Sequence, residues 1–297
     1  MGRRSDDQPI PERGLTDWIP TRGITHGKPW QGTIGRKPWE YEVTAVIPHL
    51  DTSELLQTNI SLLQAQTIQP YIVIVDTGSS PRHLGVLDEI ERMNDGVEVH
   101  RLRFKGVVHP SDPVAIAMDL AFSLCSTSFI YATHADCFLK RREYFADMLG
   151  KLRINPQSIC GYQITDRPGL DTKNWVGHTS TFFETEFVDA NNLAWSQRKF
   201  CNLTGCDHEG DKKTNSKPDT EFLINWQMDR LQKKGHDANR LIIGTETNYE
   251  TTDDDNLTHV RSYASSKLYS SEHFAKCAGD MARALKEADE RLKEWNQ

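Results

Sequence analysis

The sequence predicts an α/β protein with a mostly parallel sheet flanked by helices. The first observation behind this prediction is that, from residue 41 onward, short apolar runs alternate with segments of helical periodicity. The second is Tyr71–Val75, a continuous run of Tyr, Ile and Val that is typical of a strand buried on both faces. The third is the cluster of turn-forming residues 76–80, which directly follows that run.

The first half of the pattern alternates strictly between the two kinds of element. Val43–Ile47 predicts a strand that ends at Pro48, and residues 51–53, all of capping type, precede a helix. After Tyr71–Val75, the pattern predicts a helix over 82–94, a strand over 97–102, a helix over 112–125 and a strand over 128–132. Strands separated by helices of this length form βαβ units, and therefore parallel pairs.

The second half is less regular. It predicts a helix near 141–153, a strand near 158–164, a polar stretch over 189–218, a helix over 219–234 and a strand over 241–243. At the end of the chain, apolar residues step by three or four from Phe274 to Trp295, which indicates an amphipathic helix. We expect this helix to dock on the body. The alternative is that its apolar face forms the seam of a homodimer.

The first 40 residues differ from the rest in composition. They hold five of the 13 prolines and three of the seven tryptophans, which favours an extended arm over regular elements. The tryptophans indicate that this arm packs on the body, and disorder of residues 1–14 is the alternative. Its basic residues would suit a polyanionic partner; they are Arg3, Arg4, Arg13, Arg22, Lys28, Arg36 and Lys37.

Charge and composition exclude several classes of protein. The 297 residues include 35 Lys and Arg against 42 Asp and Glu, so the net charge of -7 lacks the basic excess of non-specific nucleic-acid binders. The sequence has no run of about 18 apolar residues and no apolar segment near Met1, so we expect neither a membrane span nor a signal peptide. The six cysteines are then expected to be reduced, and the protein to be cytoplasmic.

Three widespread motifs are absent from the sequence. No G-x-G-x-x-G follows the first strand, and neither the P-loop pattern nor G-x-S-x-G occurs, which argues against NAD enzymes, P-loop NTPases and α/β-hydrolases. Ligands of open parallel sheets bind outside the carboxyl ends of the strands. Polar or charged residues follow three predicted strands, at 48–51, 76–80 and 133–136, and these are the candidate binding segments.

Several segments share their order and spacing with one known family. Val43–Pro48 reads V-T-A-V-I-P, Ser61–Thr67 reads S-L-L-Q-A-Q-T, and Ile72–Ser80 reads I-V-I-V-D-T-G-S-S. Phe129–Asp136 follows as a strand that ends in H-A-D, and Lys217–Leu223 reads K-P-D-T-E-F-L. These segments resemble family 2 glycosyltransferases with the GT-A fold, whose motifs are V-x-V-V-I-P, S-L-x-x-Q, I-I-V-V-D-x-G-S, D-x-D and G-E-D-x-E/D-L.

The resemblance implies a Rossmann-like GT-A domain over 41–262, with a nucleotide-binding half over 41–140 and an acceptor-side half over 141–262. The extended arm of residues 1–40 precedes it, and the amphipathic C-terminal helix of 263–297 follows it. The implied activity is transfer of a sugar from a nucleotide-diphosphate donor, expected to be a UDP-sugar, to an acceptor hydroxyl. It would proceed with inversion and with Mn²⁺ or Mg²⁺ as cofactor. The acceptor is open between a glycan, a small molecule, a protein and a modified nucleic-acid base.

The resemblance also assigns roles on the donor side. Asp76 would accept a hydrogen bond from the nucleobase, beside Pro48 and His49. Asp136 stands at the last aspartate of D-x-D and would bind the metal ion. His134 replaces the first aspartate, where it would contact the ribose or ligate the metal. The alternatives are an Asx turn at Asp76 and packing of His134 against the preceding strand.

The proposed base comes from the last motif. Asp219 matches the aspartate of the family's E-D pair and would take the acceptor proton, with Glu221 as the second candidate. The alternative is that Asp219 caps a helix, with Glu221 in its first turn. His259 and Arg261 match by position, as a further metal ligand and as a partner of the diphosphate.

The segment Trp175–Phe183 falls where the family has its acceptor-side loop. Trp175 would stack on the acceptor and His178 would hydrogen-bond to it, unless these rings pack in the core.

Two other functions stay open. A nucleotidyltransferase shares the alternating pattern, although it usually carries a Gly-rich basic loop after the first strand. An inactive GT-A domain that acts as a binding module would account for His134 and Pro218, which replace acidic residues of the family motifs.

Overall fold

The computed structural model describes residues 40–102, 112–165, 174–196, 203–204, 220–246, 250–260 and 271–297. The predicted arm, except residue 40, lies outside the described residues, as do Asp219 and Arg261. The strands are β1 Val43–His49, β2 Tyr71–Asp76, β3 Val97–Arg101, β4 Phe129–Ala132, β5 Cys137–Leu139, β6 Ser158–Ile164, β7 Thr181–Glu184, β8 Asn239–Glu246, β9 Thr252–Asp253 and β10 Leu257–His259. The helices are α1 Ser53–Gln64, α2 Pro81–Met93, α3 Asp112–Leu124, α4 Tyr144–Ile154, α5 Thr185–Asn191, α6 Phe222–Lys233 and α7 Ser271–Trp295.

Seven strands form the central sheet, in the order β3-β2-β1-β4-β7-β6-β8. β1 is parallel to β2 and β4, β2 is parallel to β3, and β6 is parallel to β8. Only β7 runs against its neighbours, β4 and β6. The prediction of an α/β fold with a mostly parallel sheet is therefore confirmed. The segment matched to an acceptor-side loop is in part a strand, since residues 181–184 form β7 in the middle of the sheet.

Both faces of the sheet are covered by helices, as the continuous apolar runs predicted. Side chains of β1 alternate, with Ala45 and Ile47 in one hydrophobic cluster and Val46 in the other. Helices α1, α2, α4 and α7 contribute to the first cluster, and α3, α5 and α6 contribute to the second. Because each face buries its own cluster, a strand such as β2 needs apolar residues at every position.

The predicted C-terminal helix docks on the body. Met281, Ala284 and Ala288 are buried in the first hydrophobic cluster, and Leu292 and Trp295 pack against it from the same stripe. The helix contacts α1 and β5. Its apolar face is thus covered within the chain, which leaves the homodimer alternative without support. Among the described residues, no helix is both long enough and apolar enough to cross a membrane.

The register of the sheet places several loops at one edge. β1, β2, β4 and β8 all end at this edge because they point the same way. β7 begins there, since it is antiparallel, and its first residue Thr181 lies opposite Ala132, the last residue of β4. The residues just after β4 and just before β7 are therefore neighbours, and we call this the carboxyl edge.

Candidate active site

The carboxyl edge brings together His134, Asp136 and His259, the three residues predicted to bind a metal ion. His134 and Asp136 follow β4, and His259 ends β10 in a small antiparallel sheet of β5, β10 and β9. In this sheet His259 pairs with Cys137, and the Val260 amide donates to the Asp136 carbonyl oxygen at 3.1 Å. One ligand atom from each of the three residues lies within 4.8 Å of the others.

The donor set of this cluster fits a divalent transition metal. Two imidazoles and one carboxylate suit Mn²⁺ better than Mg²⁺, which prefers oxygen ligands. The His259 Nε2 lies 3.6 Å from the Asp136 Oδ1, and both residues are buried. Such a separation leaves the two ligand atoms close enough to converge on one ion. His134, at the departure from D-x-D, therefore keeps a metal-ligating atom at this position.

Glu246, the last residue of β8, supports the cluster from behind. Its Oε1 lies 3.0 Å from the His259 Nδ1, and the residue is fully buried. Burial lowers the pKa of His259, but the charges of Glu246 and Asp136 and their hydrogen bonds raise it more, to about 9. The same two carboxylates would favour a bound cation, and Glu246 on Nδ1 leaves Nε2, which faces Asp136, as the nitrogen that would bind it. Sequence reasoning missed Glu246, which lies three residues beyond the predicted strand 241–243.

A second histidine–carboxylate pair, between His178 and Glu221, lies beside His134. The His178 Nδ1 is 3.3 Å from the Glu221 Oε2. The His178 ring is tilted by 45° against the ring of His134, with 4.7 Å between the centroids, and makes a T-shaped contact with the buried Trp195 at 6.4 Å. Glu221 is fully buried, whereas His178 is partly exposed. The prediction of Asp219 as the base stays a prediction, because that residue is not described.

Asn225 fixes the loop before β7 onto helix α6. Its side chain accepts a hydrogen bond from the Val176 amide at 3.0 Å and donates to the Val176 carbonyl at 2.8 Å. The Nδ2 of Asn225 also donates to the carbonyl oxygen of Glu221 at 2.8 Å, and Glu221 lies one turn earlier in the chain. One buried side chain therefore sets the position of the His178 segment relative to Glu221. The sequence offered no signal for it.

Trp175, the other predicted acceptor contact, packs at the start of the same helix. Its ring lies edge-on to Phe222, with 5.3 Å between the centroids. Phe222 is buried, so this contact corresponds to the packing alternative for Trp175. A role in stacking on the acceptor stays a prediction.

The predicted nucleobase residues lie at the ends of β1 and β2. The Asp76 carboxylate accepts from the amides of Gly78 and Ser79, each at 3.2 Å, and lies 3.1 Å from the His49 Nδ1. The His49 Nε2 accepts from the Thr52 amide at 3.2 Å, which places the ring proton on Nδ1, toward Asp76. Burial raises the pKa of Asp76, but these hydrogen bonds outweigh it and hold the pKa below its usual value.

Asp76 therefore makes the contacts of the Asx-turn alternative. The carboxylate is 1% exposed, so a hydrogen bond to a nucleobase would need an opening of the turn at residues 77–80. Pro48 is buried beside it in β1. Their role in nucleotide binding stays a prediction.

Several solved glycosyltransferase structures are similar to this chain. S. aureus TarS has 12% identity and a TM-score of 0.47, and the match covers 86% of this chain and 42% of TarS. The mannosyltransferase PcManGT from Pyrobaculum calidifontis, solved with GDP-Man and Mn²⁺, has 13% identity and a TM-score of 0.40, covering 88% and 77%. Glucosyl-3-phosphoglycerate synthase from Mycobacterium tuberculosis, solved with Mn²⁺, UDP-glucose and glycerol 3-phosphate, has 13% identity and a TM-score of 0.44, covering 72% and 77%.

The chain spans half of a truncated TarS and less than half of TarS itself. No family model matches the sequence, and no curated protein matches it. With identities of 12–13% and TM-scores below 0.5, the structural similarity establishes neither a family nor an activity for this chain.

Proposed function

We propose that this chain is a glycosyltransferase that moves a sugar from a nucleotide-diphosphate donor to an acceptor hydroxyl. The observation that carries the proposal is the cluster of His134, Asp136 and His259 at the carboxyl edge. It lies at the position where the sequence resembles the D-x-D motif, and ligands of such sheets bind at this edge. The adjoining pair of His178 and Glu221 adds a group that can accept a proton.

The donor would lie with its diphosphate at this cluster. His134, Asp136 and His259 would hold a divalent cation, with Mn²⁺ favoured, and the bound cation would neutralise charge on the leaving diphosphate. The nucleobase, expected to be uracil, would lie toward Pro48, His49 and Asp76, and Arg261 would pair with a phosphate. The acceptor would enter beside Trp175 and His178. Attack from the face opposite the diphosphate is a single displacement, and it inverts the anomeric configuration.

The identity of the acceptor and a cytoplasmic location stay predictions from the sequence. The charge of the arm favours a polyanionic acceptor, and its basic residues lie outside the described chain.

A thermal-shift titration with UDP, with and without Mn²⁺, tests the proposal. A ligand at 100 times its dissociation constant stabilises the native state by about 2.7 kcal/mol, which for a chain of this size is a shift of roughly 5 °C. We expect this shift in the wild type only when Mn²⁺ is present. Asp136→Asn keeps the size of the side chain but removes the anionic ligand, so it should abolish the shift.

Asp255→Asn is the matched control, because it makes the same chemical change at an exposed site on the loop before β10. It should retain the full shift. A shift with UDP that survives Asp136→Asn would contradict the assignment of the metal site. If neither UDP nor GDP shifts the wild type with Mn²⁺, the proposed activity is wrong and the inactive binding module becomes the better interpretation.

A further inference from the structure

We infer that His178 is the catalytic base, and that Glu221 is the positioning residue that holds its ring in the reactive tautomer. This inference rests on the proposed function, and it differs from the sequence-based prediction that Asp219 takes the proton. It starts from the burial of the two side chains. Glu221 is 1% exposed and His178 is 14% exposed, so of the pair only the histidine reaches the site surface.

The contact between the two side chains selects a tautomer. The Glu221 Oε2 faces the His178 Nδ1 at 3.3 Å, which is within ion-pair distance, and a carboxylate there favours the tautomer that carries its proton on Nδ1. In the neutral ring the proton then stands on Nδ1, and the Nε2 lone pair, on the opposite side of the ring, is available as an acceptor.

The position of His178 suits this role. Its ring lies 4.7 Å from His134, a member of the cluster that would hold the leaving diphosphate. Asn225 bonds both the backbone of Val176 and the carbonyl of Glu221, so the histidine and its carboxylate are held by one side chain. The edge of Trp195 bounds the ring on a further side. A base must be held in a fixed geometry to act on the acceptor, and these contacts provide it.

Transfer of the sugar with His178 as the base needs no reactant besides the donor and the acceptor. The acceptor O–H bond breaks and its proton passes to the Nε2 of His178. The acceptor oxygen forms a bond to the anomeric carbon of the donor. The bond from that carbon to the diphosphate oxygen breaks, and its electron pair leaves with the diphosphate. The imidazolium afterwards returns its proton to solvent.

The experiment separates binding from turnover in the full chain with Mn²⁺. UDP binding is measured by thermal shift, and UDP release is measured with UDP-glucose, UDP-galactose and UDP-N-acetylglucosamine as donors and water as the acceptor. His178→Gln should lower UDP release by roughly 100-fold or more while UDP affinity changes less than about threefold. Glu221→Gln should lower release by about 10-fold at unchanged affinity. His236→Gln, at an exposed position after α6, is the matched control and should behave as wild type.

Chemical rescue distinguishes a base from a merely structural histidine. His178→Gly leaves room for free imidazole, so added imidazole should restore part of the UDP release, and unfolding curves check that the variant is folded. Release at the wild-type rate in His178→Gln would overturn the inference, and so would loss of release in Asp219→Asn alone. UDP binding with no release from any donor would also overturn it while keeping the nucleotide site. Failure of the wild type to bind UDP or GDP would instead remove the proposed function itself.

Discussion

Asn225→Leu should destabilise the protein strongly, because this side chain joins two segments of the site. Asn225 is fully buried, and leucine has the same branched side-chain skeleton. Its Oδ1 accepts from the Val176 amide at 3.0 Å and from the Arg240 Nε at 3.1 Å, and its Nδ2 donates to the carbonyls of Val176 and Glu221 at 2.8 Å. Leucine fills the space but offers none of these bonds.

The expected loss follows from the groups left behind. Val176 is 1% exposed, so its amide and carbonyl would both lose the asparagine partner in a place that water does not reach. Each such buried polar group costs about 1–3 kcal/mol, which gives an expected loss of about 4 kcal/mol for the two. The lost bonds to Arg240 and Glu221 add little to the expected loss of stability. Arg240 still donates to Asp229 and to the backbone carbonyl of residue 225, and the Glu221 carbonyl still accepts from the backbone amide of residue 225.

Urea denaturation followed by circular dichroism measures this loss. Asn155→Leu is the matched control, since that side chain bonds the Lys151 carbonyl at an exposed site, and we expect a change within about 0.5 kcal/mol. Asn225→Leu should shift the urea midpoint and leave the slope unchanged. A loss below about 1 kcal/mol, comparable with that of the control, would refute the view that Asn225 holds the loop before β7 in place.

Three further predictions concern stability. Ser180→Ala should lower the free energy of unfolding by about 2 kcal/mol in urea, because two buried tyrosine hydroxyls bond its Oγ at 2.7 and 3.1 Å; an unchanged value would contradict this. Gly161→Ala should cost about 2 kcal/mol, because a Cβ there would lie 2.5 Å from a hydroxyl of β7. Gly85→Ala in α2, with nothing within 4 Å, should be neutral or slightly stabilising, and an equal loss at both sites would be contrary evidence. Asp76→Asn should reduce the midpoint of thermal unfolding at pH 7, and the difference from the wild type should shrink as the pH falls below about 3.9. The folded-state pKa of Asp76 is lowered, so its contribution is complete above the unfolded value of about 3.9 and is lost as the pH falls through the folded value. If the difference in midpoint between the variant and the wild type grew on acidification, the prediction would be wrong.

Periodicity predicted the long elements of this fold and missed the short ones. The run Tyr71–Val75 is β2 almost residue for residue, and the stripe from Phe274 to Trp295 lies within α7. By contrast β5, β9 and β10 have three, two and three residues, which is too short for a pattern of alternating apolar and polar residues to be recognised. They exist because they pair with one another. β7 was missed for a related reason: an antiparallel strand inside a parallel sheet is recognisable only from its neighbours.

The candidate site was predictable to a similar extent. His134, Asp136 and His259 could be named because two follow a strong strand and the third was matched by position, and the small sheet brings them together. Glu246 and Asn225 could not, since their roles depend on contacts between distant segments. For Asp76 the sequence motif identified the residue but not its contacts. Only the fold shows that its carboxylate already accepts hydrogen bonds from the chain's own amides.

His134, which replaces an acidic residue of the related motif, lies near two other histidines, His178 and His259. Its ring lies 4.7 Å from that of His178 and 6.0 Å from that of His259, and each of these two histidines has a fully buried glutamate behind it. Each glutamate therefore contacts an imidazole of the site. A displacement needs positive charge on the leaving side and a base on the attacking side. Under the proposed function, the cation held by His134, Asp136 and His259 would meet the first requirement, and we assign the second to His178, positioned by Glu221.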